Sequence, residues 1–198
     1  MSKKESSFLS MVLTLFIVCL VAGAALGLIY EQTKNPIAKA KEEYLYKQIN
    51  VVIPGADGAK IKEFEVMSAD NAHKLTFYKV TKDGKLLGTA VKSITEKGFS
   101  GKFTVIVSFD KDGRIMDSNV LSHAETPGLG DKMDKSKSSW NEQFRGKNPE
   151  KFRLKVTKDG GKVDAITAST ISSRAYCDAL QRAYNTYKKY MEEGGSSQ

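Results

Sequence analysis

The segment DAITASTISSR, residues 164–174, puts five hydroxyl side chains within seven positions: Thr167, Ser169, Thr170, Ser172 and Ser173. A strand-like run at 152–156 and an Asp159-Gly160-Gly161 turn come before it, and an apolar-periodic helix follows. A helix N-terminus offers unpaired backbone N–H groups and the positive end of a dipole, so it suits a phosphate. A threonine hydroxyl there can also be the oxygen through which a phosphate is esterified to the chain. The competing reading is a plain N-cap, because Ser and Thr oxygens accept from the N–H two or three positions on. Position 173 is serine, so a reciprocal capping box starting at Thr170 is absent.

A second motif stands at 123–132, HAETPGLGDK. Pro127 fixes φ, while Gly128 and Gly130 allow close approach of the backbone to a flat ligand. Taken alone it reads equally well as a rigid surface loop. Elsewhere the chain offers no nucleophile poised beside a base. His73 and His123 lack obvious partners in sequence, the two cysteines make no C-x-x-C, and no metal-ligand set appears. We therefore expect no catalytic residue and no metal site of the chain's own. The formal net charge of +8 speaks to solubility and non-specific association. No zinc-finger spacing, RNP-type aromatic run or basic helix supports nucleic-acid binding.

These motifs need elements to hold them. Residues 8–29, FLSMVLTLFIVCLVAGAALGLI, carry no charge. As a helix they span about 33 Å, matching a hydrocarbon core of about 30 Å. Lys3, Lys4 and Ala22-Gly23-Ala24 imitate a signal peptide and its cleavage site. The apolar run continues past that site, which favours an uncleaved, single-pass anchor. Flanking lysines do not decide orientation, but a short basic tail most easily stays cytoplasmic, placing the globular part on the extracytoplasmic side. We expect a tail and anchor at 1–30, a linking helix at 31–55 and one domain at 56–198.

Within that domain, Asp83-Gly84, Asp112-Gly113 and Asp159-Gly160-Gly161 each separate β-rich runs, predicting three hairpins: 75–81 with 86–92, 102–109 with 114–121, and 152–156 with 163–166. A short helix is expected at 136–144 and a final one with Tyr176, Leu180, Ala183, Tyr187 and Met191 on one face. The fold class is α+β, a mostly antiparallel sheet with flanking helices.

Together, ETPGLGDK at 125–132, DAITASTISSRA at 164–175, the Gly98-Phe99-Ser100-Gly101 turn and the single N-terminal anchor resemble a known family. It is the covalent-flavin G subunit of the Rnf electron-transport complex, and the chain is similar also to the C subunit of the sodium-pumping NADH:quinone reductase. The resemblance implies one FMN-binding domain behind a transmembrane helix in the bacterial inner (cytoplasmic) membrane. It implies FMN attached by a phosphoester to the last threonine of the phrase, here Thr170, by a magnesium-dependent flavin transferase that uses FAD. It also implies other membrane subunits as partners and an electron relay between ferredoxin and NAD+, coupled to Na+ or H+ translocation. The cofactor site so implied comprises Thr170, Ser169, Ile171, Ser172 and Ser173, facing Glu125, Thr126, Gly128, Leu129 and Gly130. N–H groups of residues 171–173 are expected to receive the phosphate and hydroxyls of Ser172 and Ser173 to add donors, while Lys132 reads as a counter-ion or, more simply, as a surface lysine. Asp164 orients the motif, or a metal during attachment.

The chain departs from the family at Ala168-Ser169, where members usually carry Gly-Ala; alanine takes positive φ less cheaply than glycine. The absence of a long insertion favours the Rnf protein over the quinone-reductase one. The remaining alternatives are a related quinone-linked or stand-alone flavin carrier, and a non-redox anchored binding module.

Overall fold

A computed structural model describes residues 8–195; Lys3 and Lys4, used above for orientation, lie outside the described residues. The chain divides after Tyr44 into two units.

The described part of the first unit is helical, the leading part of α1 (Phe8–Val52). Among the described residues α1 is the one helix long and apolar enough to cross a membrane. Its threonine hydroxyls are satisfied within the helix: Thr14 Oγ1 donates to the Ser10 carbonyl and Thr33 Oγ1 to the Ile29 carbonyl, both at 2.8 Å. Such back-bonding lets a polar side chain sit in an apolar medium without an orphaned donor. Pro36 lies inside the helix without ending it.

The second unit is built on a five-stranded antiparallel meander: β1 (Lys60–Met67), β2 (Lys74–Lys82), β3 (Lys85–Gly98), β4 (Gly101–Phe109) and β5 (Ile115–Ser122), in that spatial order. Strand alternation divides its apolar residues between two cores. On β4, Phe103, Val105, Val107 and Phe109 pack with the face of α2 (Thr170–Glu192) that carries Tyr176, Leu180, Ala183, Tyr184 and Tyr187. Ile106, together with Tyr78, Val80 and Ala90, packs instead with Ile49, Val52 and Ile53 at the end of α1. The Ser108 hydroxyl crosses to the Val52 carbonyl and helps close that helix end.

Two predicted hairpins form as expected. Asp83 and Gly84 have φ of 51° and 74°, the conformation of a two-residue primed turn. In the other, Asp110 Oδ1 accepts from the N–H groups of Asp112 and Arg114 at 2.9 Å, with Gly113 at φ 72°.

The third does not form: 152–156 and 163–166 meet only in an isolated parallel bridge between Val156 and Val163. The helix expected at 136–144 shortens to a 3₁₀ turn, Trp140–Phe144. Nor does a separate linking helix stand at 31–55; α1 runs unbroken to Val52, and its last turns belong to the domain core. Strand β1, KIKEFEVM, was not anticipated, because its Lys and Glu side chains mask the alternation of an edge strand.

Buried polar groups fix the segment between β5 and α2. Asp117 binds Lys135 and Arg145, Lys135 N–H donates to Asn119 Oδ1 at 3.0 Å, and Asn141 Nδ2 donates to the Ser118 and Met133 carbonyls. Trp140 sits edge-on to Tyr176 at 5.2 Å and donates its indole N–H to the Asp164 carbonyl at 2.6 Å. The loop leading into α2 is thereby pinned at its start.

A second tie joins the β1–β2 loop to α2. The Ser68 hydroxyl, then the Ala72 N–H and Arg182, hold the Asp70 carboxyl down to about 2 against its partial desolvation. A depressed folded value means the unfolded chain binds more protons as the pH falls. Stability from this group is full above about pH 4 and is lost as pH falls through about 2. Because Asp70 is largely solvated, the loss is held to at most about 1 kcal/mol. Urea titrations of wild type and Asp70→Asn between pH 5 and 2 should converge at the acid end; parallel curves would contradict this assignment.

Candidate functional site

Helix α2 begins where three local interactions stop the chain from continuing straight. Ser169 N–H donates to the Ile166 carbonyl at 2.9 Å, closing a turn across 166–169. Buried Ser173 locks it: its Oγ accepts from the Ile166 N–H at 2.9 Å and donates to the Ser169 carbonyl at 3.0 Å. Inside this turn Ala168 stands at φ 60°, the left-handed conformation. Ser169 is the N-cap residue, yet its side chain caps nothing, and Thr170 is the first helical residue. Ser173 N–H donates to the Ser169 carbonyl at 3.1 Å. The N–H groups left without a protein acceptor, among the described residues, are therefore those of Thr170, Ile171 and Ser172. That set is one residue earlier than the sequence suggested.

Opposite lies the 125–130 loop. Leu129 N–H donates to the Thr126 carbonyl at 3.1 Å, and Gly128 takes φ 77° at the bend. Glu125, 5% exposed, accepts from Ser172 Oγ at 2.6 Å and from Ser100 N–H at 3.1 Å. A Cβ on Gly130 would stand 2.6 Å from Glu125 Oε2 and 2.7 Å from Ser172 Oγ, so only glycine lets this loop and α2 close together.

Between them is a cavity of about 300 Å³, at the small end of ligand pockets. Glu125, Thr126, Leu129, Gly130, Ser169, Thr170, Ile171 and Ser172, all nominated from sequence, line it. Gly128 and Ser173 do not; the first shapes the bend, and the second spends its hydroxyl on the helix start. Ser172 likewise gives its hydroxyl proton to Glu125. Lys132 is exposed and absent from the lining, and Arg174 is engaged by Asp159 at 2.7 and 2.8 Å. Among the described residues no cation lines the cavity, so an anion there must be met by the helix N–H groups and dipole. The Asp164 backbone is held by Trp140 and Gln143. His123 Nδ1 accepts from the Glu125 N–H, a structural role.

Two lining residues were not nominated. Phe99, 67% exposed at the tip of the β3–β4 turn, forms a third wall, and Ala168 completes the floor. The signal for Phe99 was an aromatic residue held between glycines in a two-residue turn. The positive φ of Ala168 has a measurable cost, about 1 kcal/mol for a residue with a Cβ. Ala168→Gly should raise stability by about 0.5 to 1 kcal/mol, read as a higher urea midpoint at unchanged m-value. A lower midpoint would show that the turn does not carry this strain.

A helix start with three free N–H groups, a cavity walled by Leu129, Ile171 and Phe99, and one long apolar helix among the described residues suit an anchored domain that holds an anionic ligand with an apolar body. In agreement, residues 98–185 match the family model described as an FMN-binding domain. The chain is 36% identical over 193 residues to the G subunit of the ion-translocating oxidoreductase complex of Aliivibrio fischeri (strain MJ11), covering 93% of this chain and 91% of that one. It is 33% identical over 189 residues to the G subunit of Vibrio parahaemolyticus (91% and 90% covered), and 30% over 194 residues to that of Cereibacter sphaeroides (96% and 88%). The chain belongs to this family, the G subunits of ion-translocating oxidoreductase complexes.

Proposed function

We propose that this chain is the electron-relay component of a membrane-bound, ion-translocating oxidoreductase complex of the Rnf type, carrying FMN as a phosphoester on Thr170 Oγ. The flavin supplies the one- and two-electron chemistry, and the protein binds, orients and tunes it. Family membership and the FMN-binding domain support the relay role. The observation that carries the attachment is the setting of Thr170. It lines the cavity, is half-buried with no partner for its hydroxyl among the described residues, and opens a helix whose first three N–H groups lack acceptors.

Those N–H groups receive the phosphate oxygens, a role the dipole of α2 reinforces. Leu129, Ile171 and Phe99 offer apolar surface to the ring, and Thr126 offers a hydroxyl at its polar edge. Attachment is the work of a flavin transferase. The Thr170 O–P bond replaces the pyrophosphate bond of FAD, the hydroxyl proton is lost and AMP leaves. The domain lies on the extracytoplasmic side of the bacterial inner membrane, beside the other membrane subunits. There a covalent tether prevents cofactor loss where free FMN is scarce.

Intact mass spectrometry tests the reading. Protein co-expressed with a competent transferase should be heavier by FMN minus water, with the increment on the peptide containing Thr170. A bare polypeptide, or an increment on another peptide, refutes the attachment.

A further inference from the structure

We propose that Glu125 is a positioning residue that staples the three cavity walls together and, as a buried anion, holds the reduction potential of the bound flavin low. This rests on the FMN reading above. One carboxylate joins three segments distant in sequence: Oε2 accepts from Ser172 Oγ on α2 at 2.6 Å, and Oε1 accepts from Ser100 N–H in the β3–β4 turn at 3.1 Å. The Glu125 backbone N–H is itself tied to His123 Nδ1 at 3.1 Å. Gly98 and Gly130 close on the same group from two sides, since a Cβ on either would stand 2.6 Å from a carboxylate oxygen. Two glycines and two donors thus fit one side chain that is 5% exposed.

The charge of that group is not neutralised in the cavity. Its two partners are neutral donors, and among the described residues the lining contains no Lys, Arg or His. Hydrogen bonds stabilise a carboxylate without cancelling its field, and a side chain only 5% exposed is less screened by solvent than a surface one. When the donor loses an electron and the ring gains it, the added negative charge meets this fixed anion, while Glu125 itself is neither oxidised nor reduced. The equilibrium therefore lies further toward the oxidised ring than it would beside a neutral group.

Glu125→Gln separates charge from shape. The amide oxygen can accept from Ser100 N–H while the amide nitrogen donates to Ser172 Oγ, whose hydroxyl then turns, so the walls stay joined. In spectroelectrochemical titration of the full flavinylated chain in detergent, the one-electron reduction constant should rise at least tenfold, about 59 mV upward. Ser172→Ala makes the opposite change, removing a donor and leaving the charge, so its midpoint should move down. A purely structural staple predicts equal or same-signed shifts in the two variants. An unmoved or lowered Glu125→Gln midpoint overturns the inference. If Glu125→Gln does not fold, the sign of the Ser172→Ala shift decides. Absence of flavin from the wild-type protein is a distinct result, one that removes the functional reading itself.

Discussion

Thr170→Val, matured beside a flavin transferase, should yield denatured protein with no flavin fluorescence and the mass of the bare polypeptide. Valine keeps the branched shape of threonine and removes the one atom in question. The substitution occurs at the first position of α2, where no intrahelical N–H bond is at stake. The threonine hydroxyl has no partner among the described residues, so folding stability should change by no more than about 0.5 kcal/mol. Loss of flavin is then a loss of the ester and not of the fold. A cavity of about 300 Å³ with no cation in its described lining is poorly equipped to retain a phosphorylated ligand by non-covalent contacts alone. The Thr170→Val protein, dialysed without denaturation, should therefore also be colourless. Thr170→Ser keeps an oxygen in place and should retain measurable flavin. Fluorescence persisting in Thr170→Val would move the acceptor to Ser169 or Ser172, the other hydroxyls of the helix start that line the cavity.

The two main walls of the cavity were legible in sequence because each is a short contiguous motif. A Pro-Gly-x-Gly bend and a run of hydroxyls before an apolar-periodic helix announce themselves without knowledge of tertiary contacts. What each hydroxyl does was not legible. Ser172 and Ser173 look alike on paper, yet one reaches across the cavity to Glu125 and the other folds back onto Ile166 and Ser169. That difference is set by which side of the first turn of α2 faces the loop. The third wall escaped for a similar reason: Phe99 joins Thr170 only through the register of β3 with β4, which pairs Gly98 with Gly101.

In the fold, the Asp83-Gly84 and Asp112-Gly113 turns were readable because both flanking runs are long enough to pair. Strand β1 was hidden by its exposed charges at the sheet edge, and its pairing with β2 from Lys60 to Met67 depends on a partner rather than on its own pattern. The anchor and the expected linker merged because nothing between 30 and 52 stops a helix; a single proline at 36 does not. Alanine at 168 shows the limit of reading a residue by its preference. The turn is enforced by Ser169, Ile166 and Ser173, and the Cβ simply bears the cost.

Gly161→Ala should be the most damaging single methyl group in the loop that feeds the site, costing about 3 kcal/mol or more. The third Asp-Gly turn resembles the other two in sequence, but its geometry serves a different end. The Gly161 N–H donates to the Val156 carbonyl at 3.1 Å, which brings its Cα down onto Lys155. A Cβ there would overlap the Lys155 carbonyl and lie 2.5 Å from Lys155 Cβ. The carbonyl cannot back away, because it accepts from Val163 N–H at 3.0 Å, while Thr157 N–H holds the Val163 carbonyl at 2.9 Å. Downstream, Asp164 is fixed by Trp140 and Gln143, so the strain has no free end through which to relax. Its neighbour is the control. Gly160 has φ 73°, but a Cβ on it meets nothing closer than Arg153 Nη1 at 3.8 Å. Gly160→Ala should therefore cost only the left-handed penalty, about 1 kcal/mol. Urea midpoints of the two variants should differ widely although they sit side by side and carry the same change. Equal midpoints would mean that backbone conformation, and not the close approach to Lys155, is what requires glycine in this loop.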